Sequence, residues 1–206
     1  MSTAARYLYR FAAFLAGFLY RVLFGLRVEG REHVPGEGPA ILFANHLSWH
    51  DIPLLAIAAP RPIRFMAKAE LFRPPLVGAV LRFFGAFPVR RGAADRQAIR
   101  EALAALAAGE LLGIFPEGTR VRPGQTGRAE PGVAYLAWKS GAPVVPAAIS
   151  GTPRLFGRVT VRIGPPIRLE GFSPKPDSEE WAAASARLMA AVAGLQAGDS
   201  RRRGAS

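Results

Sequence analysis

A short segment of the chain, residues 45–51 (NHLSWHD), combines two histidines with an aspartate. A neutral imidazole can take a proton from a hydroxyl group, and a carboxylate can hold its second ring nitrogen and stabilise the imidazolium that forms. His46 and Asp51 are therefore candidates for a general base and the group that orients it. Two other interpretations stay open on this segment alone. Asp51 could cap a helix that begins near Pro53, or the two histidines and the aspartate could bind a metal ion.

A second group of polar residues lies in segment 115–120 (FPEGTR), directly after an apolar run. Pro116 and Gly118 predict a turn there, which presents a carboxylate, a hydroxyl and a guanidinium together. Arginine binds phosphate through two parallel hydrogen bonds, and glutamate accepts hydrogen bonds from sugar or glycerol hydroxyls. Glu117 and Arg120 thus indicate a site for a phosphorylated alcohol, and a purely structural ion pair between them is the alternative.

A third segment, 85–92 (GAFPVRRG), ends a predicted strand in a pair of arginines, Arg90 and Arg91. This pair offers a second contact to a phosphate group. Taken alone it is weak evidence, because adjacent arginines usually face solvent.

The elements that must position these groups follow from the periodicity of apolar residues. Short apolar runs bounded by turn residues predict strands at Ala40–Ala44, 63–66, 86–89, 111–115, 144–149 and 159–163. Helical patterns lie between or after them at 53–58, 75–84, 94–108, 131–140 and 177–195. This alternation predicts an α/β fold with a mixed, largely parallel central sheet flanked by helices, in which functional loops follow the strand ends. Pro146 predicts that its strand lies at an edge or carries a bulge.

The most apolar part of the chain is the N-terminal segment 7–28. Arginines interrupt it, and its longest uncharged run, 11–20, is too short to cross the roughly 30 Å of bilayer hydrocarbon alone. On a helix, Arg6, Arg10, Ala13, Gly17 and Arg21 form a narrow stripe beside a wide aromatic and aliphatic arc. This pattern predicts an amphipathic helix in the membrane interface, with a buried helix of the domain as the alternative.

The composition limits the classes of protein further. The chain has 206 residues, 50% of them hydrophobic, and no cysteine, which excludes a disordered chain, a disulfide framework and a cysteine nucleophile. The 27 basic and 15 acidic residues give a net charge of +12, which indicates an anionic partner. Nucleic acid is the weaker option because no nucleic-acid-binding motif is present, so an anionic membrane or a phosphorylated substrate is favoured.

Taken together and in this order, the segments resemble the glycerolipid acyltransferase family, of the lysophosphatidic acid acyltransferase type. The motif N-H-x4-D matches Asn45, His46 and Asp51, and F-P-E-G-T-R matches 115–120. Gly85, Phe87 and Arg91 fit a second motif, and the pair Val145 and Pro146 fits a fourth. Val121 and Arg90 depart from the usual Ser and Asp at their positions.

The resemblance implies a role for each matching residue. His46 is the general base for the acceptor hydroxyl, and Asp51 orients it. Arg91 and Arg120 hold the acceptor phosphate, while Glu117, with Gly118 and Thr119 shaping the turn, positions the glycerol part. Together with the pattern of the N-terminal segment and the basic C-terminal residues, this predicts three segments: an N-terminal membrane-interface helix (1–27), an acyltransferase domain (28–198) and a disordered basic tail (199–206).

The activity that the resemblance implies is acyl transfer from a thioester, acyl-CoA or acyl carrier protein, to 1-acylglycerol 3-phosphate. We expect no metal and no cofactor beyond this co-substrate, no nucleic acid partner, and association with the cytoplasmic face of a membrane. Three alternatives are weighed against it: the same chemistry on another lysophospholipid or polar lipid, an acyl thioesterase, and a non-enzymatic membrane-binding protein.

Overall fold

A computed structural model of the chain describes residues 3–89, 95–115, 132–151, 153–171, 173 and 176–203. Its elements in chain order are α1 (Thr3–Phe24), β1 (Leu26–Glu29), β2 (Ala40–Ala44), α2 (Asp51–Ala58), β3 (Ile63–Lys68), α3 (Pro75–Phe83), β4 (Phe87–Val89), α4 (Arg96–Ala107), β5 (Leu111–Ile114), α5 (Gly132–Ser140), β6 (Val144–Ser150), β7 (Val159–Ile163) and α6 (Ser178–Arg203). Short 3-10 helices lie at Arg31–His33 and Ala69–Phe72.

The seven strands form one sheet in the order β1-β7-β6-β2-β5-β3-β4. All neighbouring strands run parallel except β6 and β7, which are antiparallel. The predicted mixed, largely parallel α/β fold is therefore confirmed. Since β2 and β5 are parallel neighbours, the loops that follow them, at 45–50 and from 115 onward, leave the sheet at the same edge.

Helices cover both faces of the sheet, which explains why the central strands are apolar on both sides. All five residues of β2 are buried, and they alternate between the two layers of the core. Leu42 packs in the layer that holds α2, whereas Ile41 and Phe43 pack in the layer that holds α4, α5 and α6. Helix α1 lies beside α2 on the first face.

The N-terminal helix is shorter than the sequence predicts. It ends at Phe24, and 26–29 form β1, which pairs in parallel with β7. Gly25 makes this break, because its φ of 58° suits glycine and a Cβ added there would collide with the carbonyl oxygen of Gly157. The first boundary predicted at residue 27 thus falls inside a strand of the sheet.

The prediction that the strand with Pro146 lies at an edge or carries a bulge is wrong, and its register with β2 runs without interruption from Val144 to Ala147. Strand β6 lies between β7 and β2, in the interior of the sheet. The proline is tolerated because its carbonyl accepts the N–H of Gly164, one residue beyond the end of β7. In an antiparallel pair the N–H and C=O groups of a residue face the same neighbouring strand. The N–H group that Pro146 lacks would therefore face Gly164, beyond the last residue of β7, so its absence breaks no hydrogen bond within the two strands.

The C-terminal helix extends further than the sequence predicts. Residues 199–203, predicted to be part of a disordered tail, continue helix α6, since no proline or glycine interrupts the chain between Gly198 and Arg203.

Helix α1 is packed on one face only. Its outward face exposes eight large apolar side chains: Tyr7, Leu8, Phe11, Phe14, Leu15, Phe18, Leu19 and Val22. The stretch Tyr7–Phe24 is long and apolar enough to cross a membrane.

Candidate active site

The structure brings the two predicted catalytic residues into direct contact. His46 lies in the loop after β2, and Asp51 is the first residue of α2. His46 Nδ1 donates a hydrogen bond of 2.7 Å to Asp51 Oδ2. The Asp51 side chain is 1% exposed and that of His46 is 12% exposed, so the pair is shielded but the imidazole still reaches the surface.

Asp51 also organises the loop that carries His46. Its Oδ2 atom accepts the backbone N–H of Leu47 at 2.5 Å and that of Ser48 at 2.7 Å, while its Oδ1 atom accepts the Ser48 hydroxyl at 3.0 Å. Because Oδ2 acts as an acceptor for all its partners, the shared proton of the pair resides on Nδ1 of His46. In the neutral imidazole, Nε2 is then the ring nitrogen that carries no proton.

The contacts of Asp51 distinguish it from an ordinary helix cap. A capping carboxylate accepts N–H groups two or three residues further along the chain, as Asp95 does for α4 through Gln97 and Ala98. The backbone donors to Asp51 instead precede it, at Leu47 and Ser48. The carboxylate thus holds the histidine loop rather than the first turn of α2.

The second histidine of the segment has a different environment. His50 Nδ1 lies 2.7 Å from the hydroxyl of Tyr20, and its ring packs against Tyr20 and Phe24 of α1. Burial raises the pKa of Tyr20 and keeps its hydroxyl protonated at neutral pH. Among the described residues there is no cluster of three or more metal-ligating side chains. His50 therefore connects the loop to the N-terminal helix.

Asn45 fixes the start of the same loop. Its side chain is buried and extends the pairing between β2 and β6: Nδ2 donates to the carbonyl of Ile149 at 3.0 Å, and Oδ1 accepts the Ile149 N–H at 2.7 Å. The side-chain amide thus takes the place of one further backbone residue in the pairing of β2 with β6. This contact gives Asn45 a structural role next to His46.

An aromatic stack joins the loop to the end of β5. The rings of His46 and Phe115 lie 4.2 Å apart between centroids at 21° to each other, and Phe65 stacks behind Phe115 at 6.2 Å. The parallel pairing of Phe43 with Ile114 places both loops at this edge. The two motif segments that the sequence singled out therefore start side by side.

The remaining predicted site residues lie outside the described part of the chain. These are Arg91, Glu117, Gly118, Thr119 and Arg120. Sequence reasoning missed the contact between Tyr20 and His50. Its signal was present, because Tyr20 lies on the face of α1 opposite the exposed phenylalanines, but nothing local indicates which residue 30 positions away it meets.

Residues 25–150 match the family model described as Acyltransferase. The chain belongs to the acyltransferase family. It is 31% identical over 187 residues to a 1-acyl-sn-glycerol-3-phosphate acyltransferase of Bacillus subtilis, and this alignment covers 88% of the chain and 93% of that protein. The predicted family is thereby confirmed.

Two further members of the family are informative. The chain is 40% identical over 129 residues to the lyso-ornithine lipid O-acyltransferase of Pseudomonas aeruginosa, covering 62% of this chain and 48% of that protein. The crystal structure of the 1-acyl-sn-glycerophosphate (LPA) acyltransferase PlsC from Thermotoga maritima matches with a TM-score of 0.70 and 29% identity, over 91% of this chain and 80% of that one. The family's fold and this chain's fold thus agree over nearly the whole chain.

Proposed function

We propose that this protein transfers a fatty acyl group from an acyl thioester to the free hydroxyl of 1-acylglycerol 3-phosphate, which gives phosphatidic acid. The observation that carries the proposal is the 2.7 Å contact of His46 with Asp51 in a chain of the acyltransferase family. The names of the Bacillus and Thermotoga relatives support the same acceptor. The donor is acyl-CoA or acyl carrier protein.

The proposed reaction is a direct transfer with His46 as base. Nε2 takes the proton of the acceptor hydroxyl as its oxygen attacks the thioester carbonyl, and the C–S bond then breaks. The imidazolium returns the proton to the leaving thiolate, so the enzyme ends unchanged. Asp51 stabilises the imidazolium between these steps, and positioned base catalysis of this kind typically contributes about 10²–10⁴-fold. The thioester is already activated, so the proposed route draws on no metal and no cofactor.

The proposed acceptor site rests on the motifs. Arg91 and Arg120 would hold the phosphate, because a guanidinium matches two phosphate oxygens at once. Glu117 would accept hydrogen bonds from the glycerol hydroxyls, with Gly118 and Thr119 shaping the turn. The start of this loop at Phe115, stacked on His46, supports a common site for phosphate and base.

The protein associates with membranes through α1. Both reactants carry long acyl chains, and the exposed apolar face of α1 gives the domain an anchor where those chains reside. We propose that the helix lies in the interface of the cytoplasmic leaflet. An interfacial position is favoured over a membrane-spanning one because the other face of the helix packs along α2 and is not available to lipid. The net charge of +12 favours anionic lipid and the anionic donor, and a nucleic acid partner is not part of the proposal.

A second candidate keeps the chemistry and changes the acceptor. The relative of highest identity among those described above is a lyso-ornithine lipid O-acyltransferase, 40% identical over 129 residues. The His46 and Asp51 pair would serve either acceptor hydroxyl equally well. Only the groups that hold the headgroup distinguish the two substrates.

Thiol release from acyl-CoA by the purified protein in detergent tests both candidates. The assay is run without acceptor, with 1-acylglycerol 3-phosphate and with lyso-ornithine lipid, and is repeated with acyl carrier protein as donor. We expect release to require 1-acylglycerol 3-phosphate and to be lost in His46→Ala. His33→Ala is the matched control, because His33 contacts the carbonyl of Ile163 and lies outside the site.

Each outcome has a separate meaning. Release that requires lyso-ornithine lipid supports the second candidate, and release without any acceptor identifies a thioesterase. Transfer that persists in His46→Ala at the wild-type rate means that His46 is not the base. No release with either donor leaves the non-enzymatic alternative.

A further inference from the structure

A cavity that His46 does not line lies between α1 and the last turn of α2. Its volume is about 210 Å³. Four arginines line it: Arg10 and Arg21 from α1, Arg31 from the turn after β1, and Arg61 from the connection between α2 and β3. The volume is below the roughly 300–1,000 Å³ typical of pockets for drug-sized ligands, so the cavity suits a headgroup-sized anion.

The positive charge of this cavity has little compensation. The ion pairs of arginine and lysine among the described residues use other cations, namely Arg64, Lys68 and Arg162. Arg31 donates to the carbonyl of Ala59, and Arg61 donates to the carbonyls of Gly38 and Gly109, so these two are positioned by backbone oxygens. Burial lowers the pKa of Arg61, and Glu37 offsets this only in part. An anion in the cavity would supply the missing countercharge.

The cavity opens beside the apolar face of α1. One row of residues on α1 lines the cavity and separates the exposed apolar face of the helix from the face packed on the domain. This row consists of Arg10, Ala13, Gly17 and Arg21. Phe14 belongs to both, since it lines the cavity and is 71% exposed. When the apolar face is immersed in the acyl region of a leaflet, the flanking arginines lie at the depth of the lipid phosphates.

We propose that the cavity between α1 and α2 binds the phosphate group of an anionic membrane phospholipid, at a site separate from the His46 and Asp51 pair. The inference rests on the membrane placement of α1 in the proposed function. The phosphate of a lipid fits better than free phosphate, because Phe14 and the apolar face beside it offer contact to acyl chains and nothing to an isolated ion. Bound lipid would fix the domain on the membrane by a defined headgroup contact, in addition to the buried apolar face.

Flotation of the full chain with vesicles tests the site. One set of vesicles contains phosphatidylcholine alone, and the other contains phosphatidylcholine with phosphatidylglycerol. The variant combines Arg10→Gln, Arg21→Gln and Arg31→Gln, and leaves Arg61 intact because its guanidinium also holds two turns. Each basic residue near an anionic surface is worth about 1 kcal/mol, so we expect partitioning onto the phosphatidylglycerol vesicles to fall roughly 100-fold.

A matched variant separates a local site from general charge. Arg96→Gln, Arg100→Gln and Arg187→Gln together remove three exposed arginines from α4 and α6, which cover the opposite face of the sheet. The net charge falls by the same amount, but these groups lie beyond the reach of screened charges, so binding should fall less than about fivefold. Equal losses in the two triple variants would overturn the proposal, as would unchanged binding in the cavity variant.

A lipid-free arm distinguishes the source of the phosphate. If inorganic phosphate raises the melting temperature of the wild type but not of the cavity variant, and vesicle binding is the same for both, the site serves a soluble phosphate and the lipid assignment is wrong. If the triple variant does not fold, Arg10→Gln alone replaces it, with an expected loss of vesicle binding of about fivefold.

Thiol release by the wild type is measured separately, so that failure of this site and failure of the proposed function can be distinguished. If vesicle binding depends on the arginines but no acyl group is transferred, the lipid site is supported and the proposed function is wrong. If acyl groups are transferred but vesicle binding does not depend on the arginines, the proposed function is supported and the lipid site is wrong.

Discussion

The substitution Asp51→Asn tests the proposed base with little change of shape. The amide keeps one oxygen, which can stay at the position of Oδ2 and accept from His46, Leu47 and Ser48. The amide nitrogen then replaces Oδ1 opposite the Ser48 hydroxyl, which can turn to accept from it. The variant therefore preserves the hydrogen-bond geometry of the loop and removes only the negative charge.

The magnitude follows from the geometry of the pair. With Nδ1 and Oδ2 at 2.7 Å, the centres of the imidazolium and carboxylate charges are about 4 Å apart, which corresponds to about 4 kcal/mol at an effective dielectric constant of about 20. This is an upper limit, because the dipole of the substituted amide would recover part of it. We therefore expect kcat/KM to fall about 10²–10³-fold, at about 1.4 kcal/mol for each factor of ten.

The assay is acceptor-dependent thiol release, measured beside the melting temperature of each variant. Asp95→Asn is the matched control, since Asp95 caps α4 through two backbone N–H groups and asparagine caps helices equally well. A double variant with His46→Ala adds a second criterion. If the two residues act as one unit, His46→Ala with Asp51→Asn should be no slower than His46→Ala alone.

The reasoning fails if folded Asp51→Asn transfers acyl groups within about fivefold of the wild type, because an imidazolium that forms in the reaction must respond to its nearest charge. It fails equally if the losses in the double variant are additive. Either result would leave Asp51 with the loop contacts to Leu47 and Ser48 as its only function.

Three further predictions concern stability. Asn45→Ala leaves the buried N–H and C=O of Ile149 without partners and should lower the free energy of unfolding by about 2–4 kcal/mol in urea titrations. Gly113→Ala places a Cβ 2.6 Å from the ring of Phe65 and should cost about 1–3 kcal/mol in the same measurement. Burial raises the pKa of Tyr9 to about 12, so the fold favours the neutral phenol; stability is complete below pH 10 and should fall by about 3 kcal/mol as pH rises toward 12, a loss absent in Tyr9→Phe.

The sequence predicts the core of this site because its signals are local. Four residues separate His46 from Asp51, and both follow an apolar run that coincides with β2 from Ala40 to Ala44. A parallel sheet then requires that loops after neighbouring strands meet at one edge, which brings Phe115 to His46 without knowledge of any side-chain contact. The order of strands is what the sequence does not provide, since β2 and β5 are adjacent in the sheet but separated along the chain by β3 and β4.

The errors have the opposite cause, because each depends on a distant partner. The four residues of β1 resemble the end of a helix until β7, 133 residues later, supplies the strand beside them. Gly25, followed by an alternating apolar and polar pattern, is the local signal that could have placed this break. Pro146 would disturb an interior strand only if the neighbouring strand β7 continued past it and needed its N–H group. Strand β7 ends at Ile163, so the local signal of the proline is misleading.

The contacts of the histidine loop connect the proposed base both to the sheet and to the N-terminal helix. Asn45 ties the loop to β6, Phe115 supports it from β5, and Tyr20 holds it to α1 through His50. The first two contacts position His46 relative to the sheet, and the third connects its loop to the helix that we propose to lie in the membrane interface. Because α1 packs along α2, whose first residue is Asp51, the proposed placement of α1 would hold His46 at a fixed height above the leaflet. A lysolipid can then present its hydroxyl while its acyl chain stays in the membrane, so the cost of extracting that chain into water does not enter the barrier.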